Sequence, residues 1–167
     1  MLIELSVTEI IVLNVAAWAA IHLGLAWAFT QLAPERFHPD GFLARPRGWE
    51  RAGRFYERVV AIRSWKHKLP DGASWFAGGV SKARLPGQSS EALYCFARET
   101  WRGELVHWLA LLFLPVFCVW NLGWAMGVNA AYAVAANLPC ILVQRYNRAR
   151  IRRLFRDERQ DTCLSVP

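Results

Sequence analysis

The chain has 167 residues, of which 54% are hydrophobic, and its formal net charge is +7, so its length allows a single domain. No Asp, Glu, Lys or Arg occurs in residues 10–33 or 106–144, and all 20 Lys and Arg lie outside these two stretches. This segregation excludes an ordinary soluble domain and indicates an all-α integral membrane protein, because uninterrupted apolar segments of this length are typical of membrane helices.

The basic residues flank the apolar stretches, as the positive-inside rule and attraction to anionic headgroups predict. We therefore expect membrane lipids, and not nucleic acid, as the partners of this charge.

The four cysteines, at positions 95, 118, 140 and 163, lack CxxC spacing, so we expect free thiols and neither a disulfide framework nor a metal site.

The first predicted element is a membrane helix over residues 5–33, which Pro34 ends because proline removes a backbone donor. Asn14 and His22 lie eight residues apart and so share roughly one face. We expect Asn14 to bond within the protein. For His22 two interpretations stay open, packing against other helices and a functional role, because polar groups at that depth are costly and often functional.

The next predicted segment, residues 34–105, is basic and cytoplasmic and carries interfacial helices. Residues 35–49 are rich in proline and glycine and are expected to form a loop. Glu50–Leu69 has apolar residues near helical spacing bordered by Arg and Lys, which favours a basic amphipathic helix on the membrane surface. A glycine-rich apolar patch at residues 75–79 follows.

A further helix, Glu91–Arg102, is predicted behind an N-cap at Ser89 or Ser90. Nothing breaks it before Val106, so we expect it to run from the surface straight into the membrane.

The longest uncharged stretch, Val106–Gln144, predicts a helical hairpin. A single helix of its 39 residues would be about 58 Å long, whereas the hydrocarbon core of a bilayer is about 30 Å thick. Asn121-Leu122-Gly123 has turn chemistry, so we expect helices over residues 106–120 and 124–144. The basic residues 145–167 then form a cytoplasmic tail of this single membrane domain, and the N-terminus lies outside.

Each predicted arm of the hairpin contains a proline, Pro115 or Pro139. Both lie at similar depth below the charged cytoplasmic end of the arm, which we call its mouth. A proline frees a backbone carbonyl that bare lipid cannot satisfy. A pocket beneath the mouth is one interpretation, and two ordinary membrane-helix prolines are the other.

The mouth of the first arm carries the strongest candidate for acid–base chemistry. Glu104 and His107 are three residues apart and share a helix face, and Glu99 joins that face approximately. A carboxylate beside an imidazole orients it and raises its basicity, as a general base requires. The alternative is an interfacial salt-bridge cluster of Glu99, Arg102, Glu104 and His107 that anchors the helix.

The mouth of the second arm returns cationic and amide side chains to the same surface, where arginine is suited to binding phosphate or stabilising an oxyanion. A basic membrane anchor is the alternative. We expect three catalytic residues, His107, Glu104 and Arg145, and eight that bind substrate, Lys66, Lys82, Glu99, Arg102, Asn137, Gln144, Asn147 and Arg148.

Three stretches carry a resemblance to a known family: Trp65-Lys66 followed by Leu69-Pro70, the run of Glu99-Thr100, Arg102-Gly103-Glu104 and His107-Trp108, and Asn137-Leu138-Pro139-Cys140 leading to Gln144-Arg145-Tyr146-Asn147-Arg148. On these residues the chain resembles the glycosyl-4,4'-diaponeurosporenoate acyltransferase family of bacterial carotenoid biosynthesis, and the third stretch is the most specific. The resemblance covers about residues 50–155.

The resemblance implies a small acyltransferase of the bacterial cell membrane that esterifies a fatty acyl group onto the sugar of a glycosylated carotenoid. Its partners would be a lipid-like glycoside acceptor and a fatty acyl donor such as acyl-coenzyme A, with no bound cofactor. The sequence contains no Gly-x-Ser-x-Gly nucleophile motif, so we expect direct transfer with His107 removing the hydroxyl proton. Two alternatives stay open, a non-catalytic membrane interaction protein of a lipid pathway and another small membrane transferase such as a methyltransferase.

Overall fold

The computed structural model describes residues 5–69 and 89–164 of the chain, and in these ranges all regular structure is helical. Three helical stretches among them are long and apolar enough to cross a membrane: Val7–Thr30, Ser90–Val119 and Trp124–Phe155. The predicted all-α membrane fold with three spans is therefore confirmed. Lys82 and the glycine-rich patch at residues 75–79 lie outside the described residues.

The first span, α1, covers Val7–Thr30. Ser6 caps it, because its side chain accepts from the Glu9 amide while the Glu9 carboxylate accepts from the Ser6 amide. The helix ends four residues before Pro34, which begins a short 3-10 turn over Pro34–Arg36.

The prediction of one helix over Glu50–Leu69 is wrong. The chain forms a 3-10 segment, Gly48–Gly53, then α2, Arg54–Arg58, then α3, Ile62–Trp65, and a last 3-10 turn, Lys66–Lys68. The backbone is left-handed at residues 51 to 53 and again at residue 61, which interrupts the helix twice.

Burial explains these breaks better than the periodicity of the sequence does. Tyr56 and Ile62 are both fully buried and pack with Tyr146. A continuous helix would turn two residues six positions apart about 120° away from each other. The left-handed residue Ala61 (φ 48°) redirects the chain between them. Gly53 fits its position because its φ of 91° lies in the left-handed region, which side chains other than glycine adopt only with strain.

The second span begins as α4, Ser90–Leu112. The Ser89 side chain caps it by accepting from the Ala92 amide, and α4 runs unbroken through Val106, so both predictions are confirmed. The α-helix ends at Leu112, and a 3-10 segment, Leu114–Val119, continues the span with Pro115 in its first turn. Pro115 therefore stands at the change of helix type and does not kink an α-helix.

The predicted turn at residues 121–123 is confirmed, with Gly123 left-handed (φ 55°). After it α5 extends over Trp124–Leu164, with Pro139 inside it. The helix thus runs on through the basic residues that we expected to form a separate tail after Gln144. Tertiary packing explains the extension, because Ile151 is buried against Leu93, Phe96 and Ala97 of α4.

The end of the bundle near the turn is closed by side chains that bond across helices. Trp18 of α1 packs with Phe117, Trp120 and Ala133 of the hairpin. Asn14 exchanges hydrogen bonds with the Asn121 amide at 2.8 and 3.0 Å, so its predicted internal bonding is confirmed.

His22 packs within the same part of the bundle. Its Nδ1 lies 2.8 Å from the Trp18 carbonyl, and its ring contacts the rings of Trp18 and Tyr132. These contacts favour packing, the first of the two interpretations of His22.

A cavity of about 590 Å³ lies between the first turns of α4 and the later turns of α5, not beneath Pro115 and Pro139. We call it the interhelix cavity. The residues that line it include Tyr94 and Ala97 of α4 and Arg148, Ile151, Arg152 and Phe155 of α5.

Candidate functional site

Glu104 lies at the interface of α4 and α5 and is fully buried. Its Oε1 accepts from the Trp108 indole at 3.1 Å and from Arg145 Nη1 at 3.0 Å, and its Oε2 accepts from Arg148 Nη2. A buried carboxylate is stable only when such donors replace the water it has lost. Glu104 therefore joins the two helices through both arginines.

A second buried carboxylate, Glu50, completes this arrangement. Its Oε1 lies 2.6 Å from Arg145 Nη2, and its Oε2 accepts from the Tyr56 hydroxyl at 2.9 Å. Burial, followed by the charge of Glu50, raises the pKa of Tyr56, which keeps its hydroxyl as a donor. Glu50 was not among the predicted site residues, because a helix on the membrane surface gives no reason to bury it.

Among the basic side chains that the structure describes, Arg148 is the most deeply buried. Besides Glu104 it binds the Ala44 carbonyl, which lies 2.7 Å from its Nε, and its Nη1 lies 3.4 Å from the Thr100 hydroxyl. Its guanidinium also stands 5.4 Å from the centre of the Trp101 ring.

We call Glu50, Glu104, Arg145 and Arg148 the buried ion cluster. Two carboxylates balance two guanidiniums, so the cluster is formally neutral. It connects α4, α5 and the segment before α2. Arg145 shares its guanidinium between both carboxylates, which leaves less of its charge for a substrate than the sequence suggested.

His107 has a hydrogen-bond partner that the sequence analysis did not assign to it. Its Nδ1 lies 3.0 Å from Oδ1 of Asn137 on α5. Asn137 Nδ2 donates to the Ala133 carbonyl at 2.9 Å, which fixes the orientation of the amide. The oxygen of Asn137 therefore faces the ring, so Nδ1 carries the proton and Nε2 carries the lone pair that a base requires.

The structure gives Glu104 and His107, the predicted pair, further partners of their own. The carboxylate oxygens of Glu104 bond to Trp108 and to the two arginines, while Asn137 holds the imidazole. The ion contacts of Glu104 and the pair of His107 and Asn137 therefore lie beside each other along α4.

Glu99 and Arg102 form an ion pair of 2.6 Å on α4, and both are buried. This contact matches the anchoring alternative more closely than substrate binding.

Lys66 stands over the ring of Tyr146, with Nζ 5.3 Å from its centre. Burial, with the neighbouring charges of Arg150 and Arg63, lowers the pKa of Lys66.

Gln144 and Asn147 are buried, yet each has a polar atom without a hydrogen-bond partner in the part of the chain that the structure describes, Gln144 Oε1 and Asn147 Nδ2. Gln144 lies seven residues from Asn137, or two turns along the same face of α5. A bound ligand with hydroxyl groups would satisfy its oxygen.

No group of three or more His, Cys, Asp or Glu suited to a metal ion occurs among the described residues.

Comparison with known proteins gives a consistent result. The pattern of the glycosyl-4,4'-diaponeurosporenoate acyltransferase family matches residues 39–157. The chain is 32% identical to the enzyme of that name from Staphylococcus aureus strain bovine RF122 / ET3-1, over 83% of this chain and 84% of the relative. It is 31% identical, over the same shares, to those of strains N315 and USA300. No solved structure matches the chain.

Proposed function

Since the chain belongs to the glycosyl-4,4'-diaponeurosporenoate acyltransferase family, it is a membrane acyltransferase, and we propose that it transfers a fatty acyl group to a sugar hydroxyl of a lipid-like glycoside. The names of its relatives support a glycosylated carotenoid as the acceptor. The family assignment favours acyl transfer over the two alternatives, a non-catalytic interaction protein and a methyltransferase.

The observation that carries the mechanism is the contact between His107 and Asn137. A neutral imidazole that donates from Nδ1 presents a basic Nε2. In the proposed step Nε2 takes the proton of the sugar hydroxyl as its oxygen attacks the carbonyl carbon of the acyl thioester. The tetrahedral intermediate collapses, the carbon–sulfur bond breaks, and the departing thiolate receives the proton from the imidazolium. The products are an acyl ester and a free thiol.

We assign different tasks to the residues around this base. Asn137 orients the ring, and the unpartnered oxygen of Gln144 accepts a hydrogen bond from the sugar. Arg145 remains our proposed stabiliser of negative charge, because each of its terminal nitrogens carries a second N–H besides the one bonded to a carboxylate. Glu104 acts through Arg145 and Arg148, which it positions.

We also propose the bacterial cell membrane as the location, with the N-terminus outside and the C-terminus in the cytoplasm. The support is the positive-inside rule. The segments that follow α1 and close α5 are rich in Arg and Lys, whereas the turn at residues 121–123 is uncharged.

The experiment that tests this function uses the purified full chain in detergent with a long-chain acyl-coenzyme A and a glycosylated carotenoid. We expect mass spectrometry to show an ester on the sugar and one equivalent of free thiol. Release of thiol without any sugar ester, or no reaction in a preparation that is folded, would contradict the proposal.

A further inference from the structure

The interhelix cavity has the size and the lining of a small-molecule site. Its volume of about 590 Å³ lies within the roughly 300–1,000 Å³ that is typical of such sites. Tyr94, Ala97, Ile151 and Phe155 form apolar walls, and two arginines, Arg148 and Arg152, line it from α5. Asp40, the partner of Arg152, also lines it. The chemistry assigned to His107 does not use this space.

The two arginines differ in how strongly they are held. Arg148 is buried and bonded through Nε and Nη2, and its Nη1 has a long contact of 3.4 Å with the Thr100 hydroxyl. Arg152 lies 2.6 Å from Asp40, and both side chains are more than a third exposed. An exposed pair of this kind contributes little to stability, because water screens both charges. A stronger anion therefore competes readily with Asp40 for Arg152.

The distance to the proposed base restricts the ligand further. Arg148 lies eleven residues beyond Asn137 on α5, and Tyr94 lies thirteen residues before His107 on α4. At the rise of an α-helix these separations are roughly 16 and 20 Å. A ligand that has its anionic group in the cavity and its reacting group at His107 therefore needs a long flexible arm between the two.

We propose that the interhelix cavity binds the phosphate-bearing carrier of the acyl donor, a coenzyme A-type thioester whose pantetheine arm extends along α4 and α5 toward His107. Arg152 and Arg148 bind the phosphates, and Tyr94 and Phe155 pack against the carrier. This inference rests on the proposed acyl transfer, to which it adds the donor site. A phospholipid headgroup offers similar charge but lacks the long arm to a thioester.

A kinetic experiment tests the cavity with the purified full chain. In Arg152→Ala we expect the KM for acyl-coenzyme A to rise about tenfold or more, because a hydrogen bond to a charged group contributes about 1.5–3 kcal/mol. The kcat and the KM for the glycoside should stay as in the wild type. The matched control is Arg153→Ala, the neighbouring residue on α5, which does not line the cavity. An unchanged donor KM in Arg152→Ala would overturn the proposal.

A binding experiment tests the same site without relying on turnover. Ser90 lines the cavity and is exposed at the start of α4. In Ser90→Cys the introduced thiol is labelled with a maleimide, and the labelled peptide is quantified by mass spectrometry. We expect coenzyme A to slow labelling several-fold, and phosphatidylglycerol in mixed micelles to leave it unchanged.

Protection by phosphatidylglycerol but not by coenzyme A would show a lipid headgroup site and overturn the proposal, as would protection by neither. These results are distinct from a failure of the proposed function. If the wild type transfers acyl groups, but Arg152→Ala has no effect and coenzyme A does not slow labelling, only the donor site is refuted. Protection by coenzyme A without acyl transfer refutes the proposed reaction alone.

Discussion

His107 on α4 and Asn137 on α5 are joined by a hydrogen bond of 3.0 Å between Nδ1 and Oδ1. The bond crosses the interface of the two arms of the hairpin, and the second bond of Asn137, to the Ala133 carbonyl, sets its direction. The pair therefore fixes both the tautomer and the orientation of the imidazole.

Asn137→Ala should lower kcat because the imidazole loses the partner that orients it. We expect a decrease of about 10- to 100-fold, smaller than the loss of the base itself, since a misplaced catalytic group can cost about 100-fold. The measurement is the initial rate of ester formation at saturating donor and acceptor. Leu138→Ala is the control, because Leu138 is the next residue and is largely exposed. Equal rates in Asn137→Ala and the wild type would contradict the orienting role.

Glu50→Gln should destabilise the protein because it leaves Arg145 with one carboxylate in a buried site. Removing one partner of a buried ion pair typically costs about 3–5 kcal/mol, so the midpoint of thermal unfolding in detergent should fall clearly. Glu57→Gln, a nearby change outside the buried ion cluster, serves as the control.

A double-mutant cycle separates the Glu50–Arg145 contact from other effects of these substitutions. If the contact of 2.6 Å stabilises the fold, Glu50→Gln combined with Arg145→Gln should be less destabilising than the sum of the two single changes. Strict additivity would show that the two side chains are not energetically coupled.

Tyr56 gives the fold a dependence on high pH. Its pKa is raised by burial and by Glu50, so the native state holds the phenolic proton more tightly than the unfolded state does. The stabilisation is complete below about pH 10, the ordinary pKa of tyrosine, and is lost as the pH rises above it. The midpoint of thermal unfolding should therefore fall more between pH 9 and 11 for the wild type than for Tyr56→Phe. The exposed Tyr132 supplies the control, Tyr132→Phe. Equal slopes for wild type and Tyr56→Phe would contradict this linkage.

The elements that were predictable from sequence are those that local chemistry determines. Segregated charges predicted the spans, Ser89 and Ser90 predicted the start of α4 to within a residue, and Asn121 to Gly123 predicted the turn. Glu104, His107 and Arg145 became candidate site residues because ionisable groups are unusual beside such apolar stretches, and their roles stay a prediction. These signals lie within a few residues of the features that they predict.

The parts that sequence did not predict depend on contacts between distant segments. Glu50 is buried against Arg145 of α5, which lies 95 residues further along the chain. Ile151 is buried against α4, and α5 continues through its basic residues. The pairing of His107 with Asn137 depends on the rotation of two helices about their axes, which the composition of either helix leaves undetermined.

Topology is tested by reporter fusions at two positions. The positive-inside rule places the turn at Gly123 outside and the end of α5 inside. Fusions at Gly123 and after Leu164 should therefore report opposite sides of the membrane. The same side for both would contradict the proposed orientation.

The most direct test of the account is the rate of acyl transfer by purified His107→Gln. Glutamine can still donate a hydrogen bond to the Asn137 oxygen, but it cannot take a proton from the sugar hydroxyl, so the variant should unfold at nearly the wild-type temperature. Loss of a positioned general base typically costs about 100- to 10,000-fold in rate. We predict that kcat for ester formation falls within this range while donor binding is retained. A folded His107→Gln variant with a rate close to that of the wild type would show that His107 is not the base.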